Sequence, residues 1–115
     1  MKAKTMYPED EALRVFTLIC LSLYYVNYNK IIHRDLKPDN ILVDKVGNFT
    51  YYKITDFGIS YQEDTGKIYT TVKDAKSYNY CSIEQLAEED ANPTFDMWAV
   101  GVILYELLSG KHPYT

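Results

Sequence analysis

Cysteine is scarce in this chain. Cys20 and Cys81 lie in different segments and belong to no C-x-x-C pair. That excludes a disulfide framework or a zinc set built on paired thiols, and it points to two reduced thiols in a cytoplasmic protein. A basic surplus is missing too. Lys and Arg number 12 against 16 Asp and Glu, for a net charge of −4. Neither the basic footprint of a nucleic-acid binder nor a polybasic membrane-surface segment is present. The 12 tyrosines are not interleaved with Arg or Lys into a base-stacking surface and read as core and half-buried surface. Long apolar runs are also lacking. Val15–Val26 and Met97–Leu108 are each too short to cross a bilayer. The first is preceded by Glu9, Asp10, Glu11 and Arg14 and followed by no small-x-small site, which argues against a signal peptide. No nucleic-acid or membrane partner is expected. There is no internal repeat and no low-complexity stretch.

What is there is globular material: 47% apolar and 24% charged residues in 115 positions, enough for one domain or part of one. Residues 9 to about 29 carry apolar side chains at Leu13, Phe16, Ile19, Cys20, Leu23 and Val26, the spacing of a helix. Leu18, Leu21 and Tyr25 add apolar character to other faces, so this helix is expected to be buried on most sides. Ile31-Ile32 reads as a short extended piece. Ile41–Val43 and Tyr51–Ile54 read as strands, and Asp44-Lys45-Val46-Gly47-Asn48 between them carries turn chemistry, which predicts a hairpin. From Gly58 to about Tyr80 the composition is polar and reads as a long functional loop. Ser82 is placed to cap a short helix reaching about Glu88. Residues 95–109 form a second apolar helix, with Gly110 as its stop.

The chemistry is concentrated in His33-Arg34-Asp35-Leu36-Lys37-Pro38-Asp39-Asn40 and in Asp56-Phe57-Gly58. An Asp can accept a proton from an attacking hydroxyl, and a Lys two residues on can meet the charge of a moving phosphoryl group. An Asn and a second Asp offer the hard oxygens that magnesium prefers. Asn40 opens the first hairpin strand and Asp56 follows the second. An antiparallel pairing would therefore bring together residues sixteen positions apart. Each residue alone has a plainer reading, as a turn cap or a solvated surface charge. Only their joint spacing favours chemistry.

These motifs resemble the protein kinase family, of the serine/threonine type. The resemblance implies an α+β fold, the mainly helical core of the kinase large (C-terminal) lobe. One small antiparallel hairpin would carry the catalytic loop (33–40) and the metal-binding triplet (56–58). It further implies an activation segment over 56–84 and a central buried helix over 95–109. It implies ATP and Mg2+ as cofactors and a protein Ser/Thr hydroxyl as acceptor. Asp35 would be the catalytic base, Lys37 would contact the transferred phosphate, and Asn40 and Asp56 would hold the metal. His33 would be structural, packing beneath the loop. Arg34 either pairs with a phosphorylated activation segment, with Thr70, Thr71 and Ser77 as candidate acceptors, or binds a carboxylate or backbone carbonyls. Phe57 would be an apolar anchor and Gly58 a flexible joint. Asp96 and Trp98 fit the family's D-x-W-x-x-G, in which the Asp holds the catalytic-loop backbone.

Departures from the family pattern also carry expectations. No Gly-rich phosphate loop and no V-A-I-K-type Lys occur in these residues. The resemblance thus implies a partial kinase domain over 1–115, without the N-terminal lobe and the helices that follow the central one, and weak activity in isolation. Ser82-Ile83-Glu84 stands where the family has A-P-E, so Glu84 would lack its usual Arg. Lys76-Ser77 replaces Gly-Thr. The central helix would leave an apolar patch for a partner to cover. Two rival readings remain: a small-molecule phosphotransferase of the aminoglycoside-kinase type, and a non-catalytic, pseudokinase-like interaction fragment.

Overall fold

Three acids, Glu9, Asp10 and Glu11, open the first helix at the positive end of its dipole. In the computed structural model this helix, α1, runs Glu9–Tyr28. The structure describes residues 1, 6–57, 61–62, 67–68 and 75–114. The stripe Ala12, Val15, Ile19 and Leu23 is buried, at the three-four spacing of one helix face. It packs on the central helix and the hairpin. Burying each of its larger aliphatic side chains favours folding by about 1.5–3 kcal/mol. The expectation of a helix buried on most sides is corrected: Leu13, Leu21, Tyr24, Tyr25 and Tyr28 are exposed. The periodicity located the helix, but the surplus apolar residues face away from the elements that pack on it. Lys30, at a φ of 63°, turns the chain out of the helix.

The hairpin pairs β2 (Ile41–Val46) with β3 (Phe49–Ile54), from Ile41 opposite Ile54 to Val46 opposite Phe49. Its strands are longer than the sequence reading allowed. Asp44 and Lys45 are cross-strand positions, and the turn is only Gly47-Asn48. Gly47 takes a φ of +61° while Asn48 keeps a negative φ, the pattern of a type II′ turn with Gly in its first position. That twist suits paired strands, so the ladder persists to the tip.

Before the loop at 33–40, β1 (Ile31–Ile32) pairs antiparallel with β4 (Tyr61–Gln62), which pairs in turn with β5 (Lys67–Ile68). The polar stretch after Asp56 is therefore not uniformly loop; part of it folds back onto the strand that leads into the catalytic loop. Gly58, Thr70 and Thr71 lie outside the described residues. A 3-10 helix follows at Ala75–Tyr80, and then the short α2 at Ile83–Leu86. The Ser82 side chain caps α2 by accepting from the Gln85 N–H.

The central helix, α3, spans Thr94–Ser109. Phe95, Asp96, Ala99, Val100, Val102, Ile103, Glu106 and Leu107 make one broad buried face, while Met97, Trp98, Tyr105 and Leu108 are exposed. Gly110 ends it in the left-handed region at a φ of 73°. A Cβ there would be strained by the backbone conformation and would come within 3.2 Å of Met6 Cβ, crowding the N-terminal segment. No helix of the described residues is long and apolar enough to cross a membrane.

Candidate active site

The site is assembled on one post. Asp96, in the first turn of α3, is buried. Its Oδ2 accepts the backbone N–H of His33 at 2.8 Å and its Oδ1 accepts that of Arg34 at 2.9 Å. Burial pushes its carboxyl above the usual carboxylate range, and the two amide donors work against that push. Asn27 at the end of α1 ties in by donating to the Ile31 carbonyl at 2.9 Å and, at 3.5 Å, to Asp96. Three separate stretches of sequence thus meet where the catalytic loop begins.

Arg34 adopts a φ of 72°, uncommon for a residue with a side chain. The conformation is held at both ends: Asp96 takes its N–H, and Gln85 of α2 donates to its carbonyl at 2.7 Å. Such over-determined backbone is frequent at functional loops. The result is a loop that turns sharply and presents Asp35.

His33 is fully buried and braces this turn. Its Nδ1 accepts the Asp35 N–H at 3.1 Å, which leaves Nε2–H to donate to the Thr55 carbonyl at 2.8 Å. Its ring packs on Phe57 at 4.8 Å between centroids. One imidazole therefore links the loop bearing Asp35 to the end of β3, directly before Asp56. The Thr55 N–H donates to the Asn40 carbonyl at 2.8 Å, closing the same junction from the other strand. Asp56 then turns the chain at a φ of 61°.

Within the loop, Pro38–Asn40 form a 3-10 turn, and Lys37 before Pro38 is extended, as the proline demands. Asn40 donates its side-chain amide to the Asp35 carbonyl at 2.6 Å and to Asp35 Oδ2 at 3.3 Å. The other carboxylate oxygen, Asp35 Oδ1, is buried and has no hydrogen-bond partner among the described residues. It lies 4.0 Å from Lys37 Nζ. A buried acceptor left open is costly unless something is meant to fill it. Here it suits an incoming hydroxyl, with a cation alongside. Lys37 is itself buried and donates to Ser77 Oγ at 2.8 Å.

That last contact relocates Ser77. Named above as a candidate phosphate acceptor, it is 2% exposed, and its hydroxyl is engaged by Lys37. In this geometry it completes the loop rather than facing an incoming enzyme. Glu84 is exposed on α2 and makes no ion pair among the described residues. Trp98 is half-exposed and stacks parallel to Tyr114 at 6.2 Å. Gln85, Asn27 and Thr55 are site residues that sequence reasoning missed. They act through, or upon, backbone groups, which every residue possesses, so no motif marks them.

The donor set fits magnesium bound with a nucleotide. Asn40 directs its amide nitrogen at Asp35, which leaves its carbonyl oxygen as a hard donor, and Asp56 adds a carboxylate at the same end of the hairpin. Among the described residues no cluster of three or more His, Cys, Asp or Glu side chains could cage a metal alone. Magnesium commonly takes one or two protein oxygens and fills its remaining sites with water and phosphate.

The protein kinase domain family model matches residues 1–115, and the chain belongs to that family. It is 40% identical over 112 residues to the carbon catabolite-derepressing protein kinase of Secale cereale, covering 96% of this chain and 21% of that protein. It is 41% identical over 106 residues to the SNF1-related protein kinase catalytic subunit alpha KIN12 of Arabidopsis thaliana, covering 92% and 20%. Against the serine/threonine-protein kinase PrkC of Bacillus subtilis it is 38% identical over 104 residues, covering 90% and 16%. The chain spans about a fifth of the length of the curated relatives it matches.

Proposed function

We propose that these residues are the core of the large lobe of a serine/threonine protein kinase, and that the whole protein phosphorylates Ser or Thr hydroxyls of other proteins. The observation that carries this is the open, buried Oδ1 of Asp35 beside Lys37, with Asn40 holding the other side of the same carboxylate. Magnesium-bound ATP, when present, supplies an electrophilic γ-phosphoryl group. Asn40 and Asp56 would hold the metal. Asp35 orients the acceptor hydroxyl and takes its proton at Oδ1. Lys37, pinned by Ser77 next to Asp35, sets a positive charge where the transferred phosphoryl group, whose oxygens carry the spreading negative charge, would meet the acceptor. A pre-set hydroxyl and a fixed cation act chiefly through positioning.

The matched family and the names of the relatives favour this reading over a small-molecule phosphotransferase. These 115 residues contain no glycine-rich phosphate loop, so we expect the isolated chain to transfer phosphate weakly. The test is incubation of the full-length protein with Mg-ATP and, in separate reactions, Ser, Thr and Tyr peptides, aminoglycosides and choline. Label on Ser or Thr that is lost in Asp35→Asn supports the proposal. Label appearing only on aminoglycosides or choline, or label indifferent to Asp35, refutes it.

A further inference from the structure

His112 follows the central helix, in a stretch to which the motifs assign no chemistry. It is nevertheless 5% exposed, and both ring nitrogens are engaged. Nδ1 accepts the N–H of Tyr114 at 3.1 Å, two residues ahead. With Nδ1 an acceptor, Nε2 carries the hydrogen, and it donates to the carbonyl of Asn79 at 2.9 Å. The ring meets Tyr80 edge-on at 5.4 Å and Tyr114 at 5.8 Å, and Tyr114 stacks on Trp98. The imidazole is thus fixed by two hydrogen bonds and two aromatic neighbours.

Its target is the 3-10 segment Ala75–Tyr80, which carries Ser77. Ser77 Oγ is the atom that receives Lys37. The segment is tied at Tyr80 through a hydrogen bond to Glu106 of α3, and at Ser77 through Lys37 and through Cys81 Sγ, which reaches the Ser77 carbonyl at 3.4 Å. Asn79 lies between these ties with its side chain exposed, so the His112 bond restrains the backbone there. Without it, a 3-10 segment with weak internal hydrogen bonds is free to rotate between Ser77 and Tyr80.

We propose that His112 is a positioning residue for phosphoryl transfer. It clamps the Asn79 carbonyl and so keeps the Ser77 hydroxyl against Lys37, beside the open oxygen of Asp35. This rests on the function proposed above. The two nitrogens make separable demands. The amide nitrogen of a glutamine can reach the place of Nε2 and donate to Asn79. The amide of an asparagine reaches only the place of Nδ1 and cannot.

The experiment compares His112→Gln, His112→Asn and His112→Ala in the full-length protein, with Asp35→Asn as control. Two readouts are used: steady-state kinetics, and hydrogen exchange of the peptide spanning 75–82. His112→Asn and His112→Ala are expected to lower kcat roughly ten- to a hundred-fold, the scale of a displacement of about 1 Å, with KM for ATP within about twofold. Exchange over 75–82 should rise. His112→Gln should restore both. Should His112→Ala fail to fold, the Gln–Asn pair decides. Parental kcat and exchange in folded His112→Asn, or rescue by Asn and not by Gln, overturns the proposal. If the parent lacks Asp35-dependent activity, the functional reading fails, and exchange alone judges the clamp: unchanged exchange over 75–82 in His112→Asn refutes it.

Discussion

The chain's two histidines make the same pair of bonds in two places. His33 accepts from the N–H two residues ahead and donates to a distant carbonyl, that of Thr55; His112 accepts from Tyr114 and donates to Asn79. Each ring locks its own sharp turn and staples it to a segment far away in sequence. The surroundings differ. His33 is fully enclosed between the loop that carries Asp35 and the end of β3, whereas His112 sits under aromatic rings after the end of α3. The comparison teaches that a buried imidazole with both nitrogens satisfied is a building element. Its value depends on what it staples: at His33 the base to the hairpin, at His112 the segment carrying Ser77.

Breaking the site itself should have the largest effect. Asp35→Asn removes the proposed proton acceptor, and transfer by the full-length protein is expected to fall at least a hundred-fold in kcat, read by radiolabel incorporation. The fold should survive, because Asn40 can still donate to the residue's carbonyl.

Asp96→Ala comes next and strikes both regions through the post they share. It strands the N–H groups of His33 and Arg34 in a buried site, at about 1–3 kcal/mol each. Urea unfolding should shift to a clearly lower midpoint, and His33→Phe should lower it as well, since it likewise orphans two backbone groups, the Asp35 N–H and the Thr55 carbonyl.

Ser77→Ala sharpens the comparison on the His112 side. Lys37 loses its anchor, so kcat should drop several-fold, and the buried ammonium deprived of that acceptor should also lower the melting temperature, though less than Asp96→Ala does.

The smallest effect is at alkaline pH. Burial, reinforced by the bond to Glu106, holds the Tyr80 hydroxyl well above its usual pKa of 10.0. A folded-state pKa that is raised favours the protonated form. The resulting stability is full below pH 10 and is lost as pH climbs beyond it, when the unfolded chain ionises first. Tyr80→Phe should flatten that loss in a pH series of thermal melts.

How much of this was legible in the sequence depended on what carried the signal. Helix α3 and its stop at Gly110 were legible because an apolar period and a required left-handed residue leave marks. The hairpin was legible, but its turn was set too wide: Asp44 and Lys45 look like turn formers, whereas cross-strand pairing up to Val46–Phe49 decides. The exposed apolar face of α1 was misread because periodicity cannot say which neighbours exist. The site splits the same way. The residues of the catalytic string stand in fixed spacing and could be named. Gln85 and His112 act on the carbonyls of Arg34 and Asn79, and a carbonyl has no letter in the sequence.

The account depends most on the hairpin end and the catalytic loop building one metal–nucleotide site. A double-mutant cycle of Asn40→Ala and Asp56→Ala, read as Mg2+-dependent ATP affinity by titration calorimetry of the full-length protein, tests this directly. Each single change should weaken binding, and the pair should cost clearly less than the sum, because removing either oxygen already disables the ion. Strictly additive losses, or affinity indifferent to both changes, would contradict a shared site.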